Sequence, residues 1–453
     1  MMYQYKQLSK VLISLIRRDR RRALPTSDNI RGLSACGPFP FKGEAGSQKR
    51  FSLVKLSPLS SVKVVLLMAI LVTAGCRQVP LNTTLSNDAA CVTDYDPNVD
   101  YFPNQIQPEY ATGFSVDYYN HYKVVTVTQP WQAANETFEY LLVQCGTPTP
   151  AGFEDTQVIQ VPVNRVVTLS TTYLPHLDRL DRLDTLVGMD NFSFVYAPEV
   201  REKIDQGALL EFSSGKTLDV ERLLVSDPDL IMTYGSGDPD VDSYSRLMQA
   251  GLPVALVGEY VENSPLGRAE WLLFTALFFN QEAEAQQIFT DISAEYESLV
   301  ELTATVSERP TVFSGFSYEG TWYMPGGNSY AAQLFRDAGA AYIWEENESD
   351  VTIPLDFESV FDQAATADVW VNASQDWFTH GDAISTDPRY GSFNALKQDS
   401  VFNNNARMND TGGNDYWESG AVNPHLILAD LVKILHPQLL SDHELVYYQK
   451  LEP

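Results

Sequence analysis

The chain of 453 residues is 44% hydrophobic and 11% aromatic and carries a formal net charge of −28, a globular composition that excludes disorder as the default and allows two or three domains. Residues 1–75 hold 13 Lys or Arg, including the run RRDRRR at 17–22, against 3 Asp or Glu; the remainder therefore has 18 basic and 56 acidic side chains and a charge of −38. So acidic a chain speaks against a nucleic-acid partner, which requires a basic footprint to neutralise phosphates, and its excess acid reads as a solvated surface.

The first element is "VKVVLLMAILVTAGC", residues 62–76. Its apolar run, Val64 to Val72, is shorter than the ~20 residues a spanning helix needs and suits the apolar region of a signal peptide. Leu-Val-Thr-Ala-Gly-Cys resembles a bacterial lipobox, with a loose fit at Thr73. As a lipobox it makes residues 1–75 a cleaved leader and Cys76 the lipidated N-terminus; the alternatives are a non-lipidated signal peptide or an internal apolar segment. The long stretch ahead of the apolar run fits a start codon placed too far upstream. Polar residues 76–90 read as a tether. With Cys36 in the leader and Cys76 on lipid, Cys91 and Cys145 remain, either as a disulfide of an exported domain or as two buried thiols.

Residues 91–160 are rich in Val, Thr, Tyr and Phe ("FSVDYYNHYKVVTVTQPW", "TFEYLLVQCG") and predict a small antiparallel layer. From Asn164 strands and helices alternate: "RVVTLST", "YLPHLDRLDRL" and "TLVGMD" form a βαβ unit, and the pattern continues to complete an α/β lobe over 161–265. Residues 266–306 contain a single Gly and no Pro. They predict one linking helix ~60 Å long, with two shorter helices broken near Asn280 as the alternative; the run Trp271 to Phe279 is apolar on more than one side and should be buried by both neighbours. A second α/β lobe, 307–453, ends in the helix "HLILADLVKILHP". The two lobes share a pattern: "LDVERLLVSDPDLIM" from 218 and "LDFESVFDQAATADVWV" from 355 each place Glu, Glu221 or Glu358, early in a helix that leads to a buried strand.

Lipobox, lobe, long helix and lobe together resemble the substrate-binding lipoproteins of ABC importers, in the class joined by one rigid helix that handles ferric siderophores, haem, cobalamin and metal ions. The likeness spans about residues 160–440 and is most specific at "RVVTLSTTYLPHLDRLDRLDTLVGM", "SSGKTLDVERLLVSDPDLIMTYG", "PLGRAEW" and "NDYWESG". It implies two Rossmann-like lobes joined by one long backbone helix, here with a small N-terminal β-rich extension. It also implies an ABC permease and its ATPase as partners, no cofactor or catalysis of the chain's own, a membrane lipid anchor, and Glu221 and Glu358 as docking points for permease arginines. A monomer is expected. The bland alternative is two ordinary surface glutamates.

Ligands of open α/β sheets lie beyond the carboxyl ends of the strands. That rule selects Thr171, Thr172, Tyr173 and Tyr234 in the first lobe, and Tyr318, Trp322, Tyr323, Trp377, Tyr416 and Trp417 in the second. Flat aromatic faces suit a large conjugated ligand, a ferric catecholate siderophore first, then haem or cobalamin, although each ring alone is as well explained by packing. An anionic chelate also needs local cations, for which Arg389, Arg407 and Lys216 stand in loops. The six histidines lack metal-ligand spacing, so bare metal ranks last; His176 faces either the cleft or a helix surface. A cell-surface enzyme or sensor on the same scaffold is the competing class, without a P-loop or nucleophile-elbow motif to support it.

Overall fold

Alternating apolar positions dictate the first layer. The structure, a computed structural model that describes residues 91–214, 217–239 and 241–453, forms four strands there: β1 (Phe114–Tyr118), β2 (Tyr122–Val127), β3 (Phe138–Gln144) and β4 (Gln157–Val161). Val116, Val125, Val127, Leu142 and Ile159 join the main core, while Val124, Leu141 and Val143 form a small cluster of their own. β1, β2 and β3 pair antiparallel but β3 and β4 pair parallel. The purely antiparallel layer expected is thus corrected at its last strand, because the connection 145–156 is long enough for a crossover. Cys91 and Cys145 are joined as a disulfide, with their Cα atoms 4.8 Å apart.

The first lobe contains β5 (Val166–Thr168), α1 (Leu174–Arg179), β6 (Leu186–Met189), α2 (Pro198–Asp205), β7 (Leu210–Glu211), α3 (Val220–Ser226), β8 (Leu230–Thr233) and β9 (Val254–Leu256). Its strands are parallel in the order β9-β8-β5-β6-β7. Fully buried Val166, Val167, Ile231 and Met232 reflect cover on both faces. Strand order reverses between β5 and β8, the point where such sheets open a crevice.

After α4 (Pro265–Ala276) and α5 (Glu282–Thr303), the second lobe contributes β10 (Thr311–Ser314), β11 (Ser317–Tyr318), β12 (Thr321–Pro325), α6 (Tyr330–Asp337), β13 (Ala341–Tyr342), β14 (Thr352–Leu355), α7 (Phe357–Ala364), β15 (Val369–Val371), β16 (Val401–Asn403), α8 (Asp415–Glu418), α9 (Pro424–Leu435) and β17 (Gln449–Lys450). Its main sheet runs β13-β10-β15-β16-β17, parallel except for β17, and a separate antiparallel sheet runs β11-β12-β14. Here the order reverses between β10 and β15, so the two lobes offer equivalent crevices.

Residues 266–306 do not form one helix. Asn280 adopts φ +55°, a left-handed conformation that Asn tolerates at a helix end, and the NH of Gln281 reaches back to the Ala276 carbonyl. Of the two, α5 runs on into the second lobe, and at 22 residues it is ~33 Å long rather than ~60 Å. It packs against α4 and α9; the Tyr296 hydroxyl bonds Asp337 of α6 at 2.5 Å.

The corner between α4 and α5 is filled from the extension. Lys123, on β2 and fully buried, donates to the Leu277 carbonyl at 2.6 Å, Asn280 Oδ1 at 3.0 Å and Glu282 Oε1 at 2.7 Å. Two more acids of the first lobe hold the extension: Glu270 accepts the NH groups of Glu109, Tyr110 and Ala111, and Glu262 those of Thr112 and Gly113. Gln157 and Tyr140 reach over to β9, bonding Val254 and Leu256, so the outer edge of the parallel sheet is covered. Removing one member of a buried ion pair strands the other, so Lys123→Ala should lose about 3–5 kcal/mol in urea unfolding, and Lys123→Met with Glu282→Met should recover most of it. A loss below 1 kcal/mol for the single variant, on the scale of an exposed pair, would dismiss the corner as a structural anchor.

Candidate functional site: the seam between the lobes

Elements of the two lobes meet along a seam. On the first lobe, β5 ends at Ser170, whose side chain caps a single turn of 3-10 helix, Thr171–Tyr173. The short helix α8 of the second lobe packs on that turn, which brings Tyr416, 6% exposed, toward Tyr173, which is fully buried. Arg268, one turn into α4, lies with its guanidinium 3.8 Å over the ring of Tyr330 at the start of α6. Its Nη2 donates to the carbonyls of Tyr260 and Glu262, both at 3.0 Å, while Nε is buried and makes no hydrogen bond.

Beside it stands Glu259, after β9 and 3% exposed. Thr172 donates to Oε1 at 2.8 Å; Oε2 is buried without a partner. Burial pushes this carboxyl up to about 7, against the smaller pulls of the Thr172 hydroxyl, the Arg268 charge and the backbone NH groups of Glu259 and Tyr260. Burial likewise raises the Tyr416 phenol well above its usual range, with Tyr448 and Tyr330 nearby. One guanidinium, one carboxyl that is easily neutral and several phenols therefore meet in a buried seam built from both lobes. Such a set can neutralise, hydrogen-bond and stack on a ligand. Among the described residues no group of three or more His, Cys, Asp or Glu side chains could hold a metal ion.

One flank of the seam is fastened. Glu418 of α8 accepts from the NH groups of Tyr196 at 2.7 Å and Ala197 at 2.8 Å, a carboxylate at the positive end of α2. Asn409 donates to the Val195 carbonyl, Arg201 donates to Thr411, and Arg179 bonds Asn423. At another border Trp131 of the extension seats its ring on Gly235 and Gly237, where a Cβ would lie within 2.5 and 2.8 Å of it. The next residue, Gln132, bonds Asp350 of the second lobe at 3.3 Å.

The residues selected from sequence scatter. Tyr173 and Tyr416 lie on the two elements that pack together at the seam, and Trp417 lies next to Tyr416 with its indole NH on Gln375. Arg407 is there as well, 2.9 Å from Asp415 and over the ring of Tyr196 at 5.3 Å. Tyr234 is half-buried after β8. Trp322 and Trp377 are instead core residues of the second lobe, packed on Trp370 with their NH groups bonded to Ser314 and Thr386, and have no face left for a ligand. Tyr323, next to Trp322 on β12, faces solvent, and Tyr318 is half-buried on β11. Arg389 belongs elsewhere: it pairs with Glu358 at 3.0 Å and Asp387 at 2.7 Å and covers the Phe357 ring. His176 is wholly buried on Thr275, and burial pulls it down to about 3, so it is a neutral packing residue. Lys216 and Cys76 lie outside the described residues.

Glu221 and Glu358 occupy matching local settings. Each follows an Asp that caps the helix, Asp219 onto the Arg222 NH at 2.9 Å and Asp356 onto the Ser359 NH at 2.7 Å, and each is exposed. Each helix runs into the strand that flanks the reversal of its sheet. The seam residues that sequence reasoning missed are Glu259, Arg268, Tyr330 and Glu418. Arg268 sits inside the family-like stretch "PLGRAEW", but the search for cations was confined to loops.

Comparison with known proteins agrees with this architecture. Two uncharacterised lipoproteins of Methanocaldococcus jannaschii are 25% identical over 327 residues and 26% over 330, each match covering 69% of this chain and 76% or 80% of the relative. Among solved structures, a periplasmic haem-binding protein of Pseudomonas aeruginosa is similar at TM-score 0.48 and 16% identity, over 64% of this chain and 99% of that one. A periplasmic vitamin B12 binding protein of Vibrio cholerae is similar at TM-score 0.43 and 16% identity, over 62% and 99%. The family model described as periplasmic binding protein matches residues 166–407, more than half of the chain and the whole of the first crevice, and the chain therefore belongs to the periplasmic binding protein family.

Proposed function

We propose that the protein is the extracytoplasmic substrate-binding component of an ABC importer, held to a membrane through Cys76, and that its cargo is an anionic iron chelate of the ferric siderophore type. The observation that carries this reading is Arg268: a guanidinium from the first lobe stacked on a tyrosine of the second, with a buried, unused Nε and Tyr416 close by. A planar cation that both stacks and donates hydrogen bonds suits an anionic, ring-bearing ligand. Because the ligand would touch both lobes, its capture would set their spacing, which Glu221 and Glu358 would report to a permease. Haem is the second reading, favoured by the same tyrosines, since a flat macrocycle with carboxylates needs the same cation and rings.

The cargo is to be identified by tryptophan fluorescence of a soluble form starting at Arg77, titrated with ferric catecholate, ferric hydroxamate, haem, cobalamin and bare zinc or manganese. A ferric chelate should quench saturably at micromolar concentration or below. Arg268→Ala should weaken that binding about ten- to hundredfold, the scale of one desolvated charge-assisted contact, and Arg389→Ala should leave it unchanged. Saturation by haem or cobalamin alone would replace the cargo, and no saturation by any of them would sink the reading.

Docking has its own test. In proteoliposomes holding the permease, Glu221→Ala should reduce chelate-stimulated ATP hydrolysis several-fold without altering chelate affinity. Glu358→Ala should reduce it less, because Arg389 already shares that carboxylate. Equal stimulation by wild type and both variants would remove these glutamates from the interface.

A further inference from the structure

Two buried polar atoms in the seam have no partner: Arg268 Nε, which can only donate, and Glu259 Oε2. They belong to neighbouring side chains at the carboxyl ends of the first-lobe strands, in the place assigned above to the cargo. Ionised, Glu259, at 3% exposure, would repel an anionic chelate across a buried region that screens charge poorly. Protonated, its carboxyl becomes a second donor beside the guanidinium. We infer that Glu259 meets the cargo as a neutral carboxylic acid, so that capture of an anionic chelate carries a proton into the seam.

The surroundings allow this. From the 3-10 turn after β5, Thr172 bonds Oε1, and the backbone NH groups of Glu259 and Tyr260 add smaller pulls toward the carboxylate that burial outweighs. From α4, Arg268 supplies the one cationic charge acting on the carboxyl, and it does not overcome burial. Tyr260 adjoins on the same turn, with Asp242 beyond it adding negative charge. From the second lobe, Tyr330 and Tyr416 approach Arg268 as neutral phenols. With an arriving anion absent, the carboxyl titrates at about 7; an anion beside it favours the neutral form and moves the titration higher. Between the two midpoints the bound state keeps a proton that the free state has lost. Affinity is therefore steady below about pH 6 and falls as pH rises above about 7, by roughly tenfold between pH 6 and pH 8.

This inference rests on the chelate-binding reading, and the experiment separates the two. The probe is the iron(III) complex of a hexadentate tris-catecholate, followed by titration calorimetry at pH 6, 7 and 8 in buffers of different ionisation enthalpy. Wild type should take up close to one proton per chelate at pH 8 and lose about tenfold in affinity from pH 6. Glu259→Gln, which keeps a donor but cannot titrate, should bind at pH 8 as tightly as wild type does at pH 6, with no pH dependence; measured alongside, it also subtracts any proton exchanged by the chelate itself. Thr172→Val, which removes the hydroxyl favouring the carboxylate, should move the break in affinity to higher pH. Chelate binding with equal proton counts in wild type and Glu259→Gln overturns the inference and leaves the proposed function standing. No chelate binding at any pH overturns both. Should Glu259→Gln fail to fold, a wild-type count of zero protons at pH 8 is by itself decisive against the inference.

Discussion

Everything above the extension turns on one buried ammonium. Lys123 is removed from water entirely, and burial depresses its pKa while Glu282 opposes the change. Desolvating such a charge is unfavourable by several kcal/mol unless every proton is used, and here all three are: a helix-end carbonyl, the Asn280 amide oxygen and the Glu282 carboxylate. The Phe102 ring lies 4.5 Å away on a further side. This arrangement stabilises a break in what would otherwise be a continuous helix, and the break sets where α5 starts and hence how far apart it holds the lobes. An apolar residue at 123 would leave the carbonyl of Leu277 and the carboxylate of Glu282 without a partner in the corner. The geometry of the seam, some distance along the same helix pair, is inherited from this corner through α4, which carries both Glu270 and Arg268.

The proposed cargo is an anion and the chain is strongly acidic, yet at the seam negative groups are either neutralised or committed. Glu418 is spent on two backbone NH groups at a helix end, Asp415 pairs with Arg407, and burial raises Glu259 to the edge of neutrality. The exposed acids remain outside, where Glu221 has a free carboxylate and Glu358 is already shared with Arg389 and so presents a weaker local charge.

Much of this was legible in the sequence, and the failures have physical reasons. The two lobes were readable because helix-capping Asp, early Glu and a buried strand recur in both halves, a local pattern that owes nothing to distant contacts. The break between α4 and α5 is legible only as the alternative near Asn280: neither Gly nor Pro marks it, since Asn280 provides the left-handed turn and its stabiliser, Lys123, lies far away in sequence. Trp322 and Tyr323 were both assigned to the cleft, but adjacent residues of a strand face opposite sides, so at most one of them could be there. Arg389 was chosen because it stands in a loop, and its neighbours Asp387 and Glu358 claim it. Glu259 was invisible because a buried, partly neutral carboxyl looks in sequence like any other among 59 acidic residues.

The bonds that fix the extension join positions 149 to 161 residues apart, from Gly113 to Glu262 and from Glu109 to Glu270. A ribosome delivers the chain in the opposite order of need. Strands β1 to β4 emerge first and must wait, with apolar faces and open edges, until the helix that covers them has been made. Contacts of such long range form late, and partly folded chains with unpaired strands are prone to associate with one another. Folding of the extension is thus a closing step, and the edge of β9 is covered only when that step is complete.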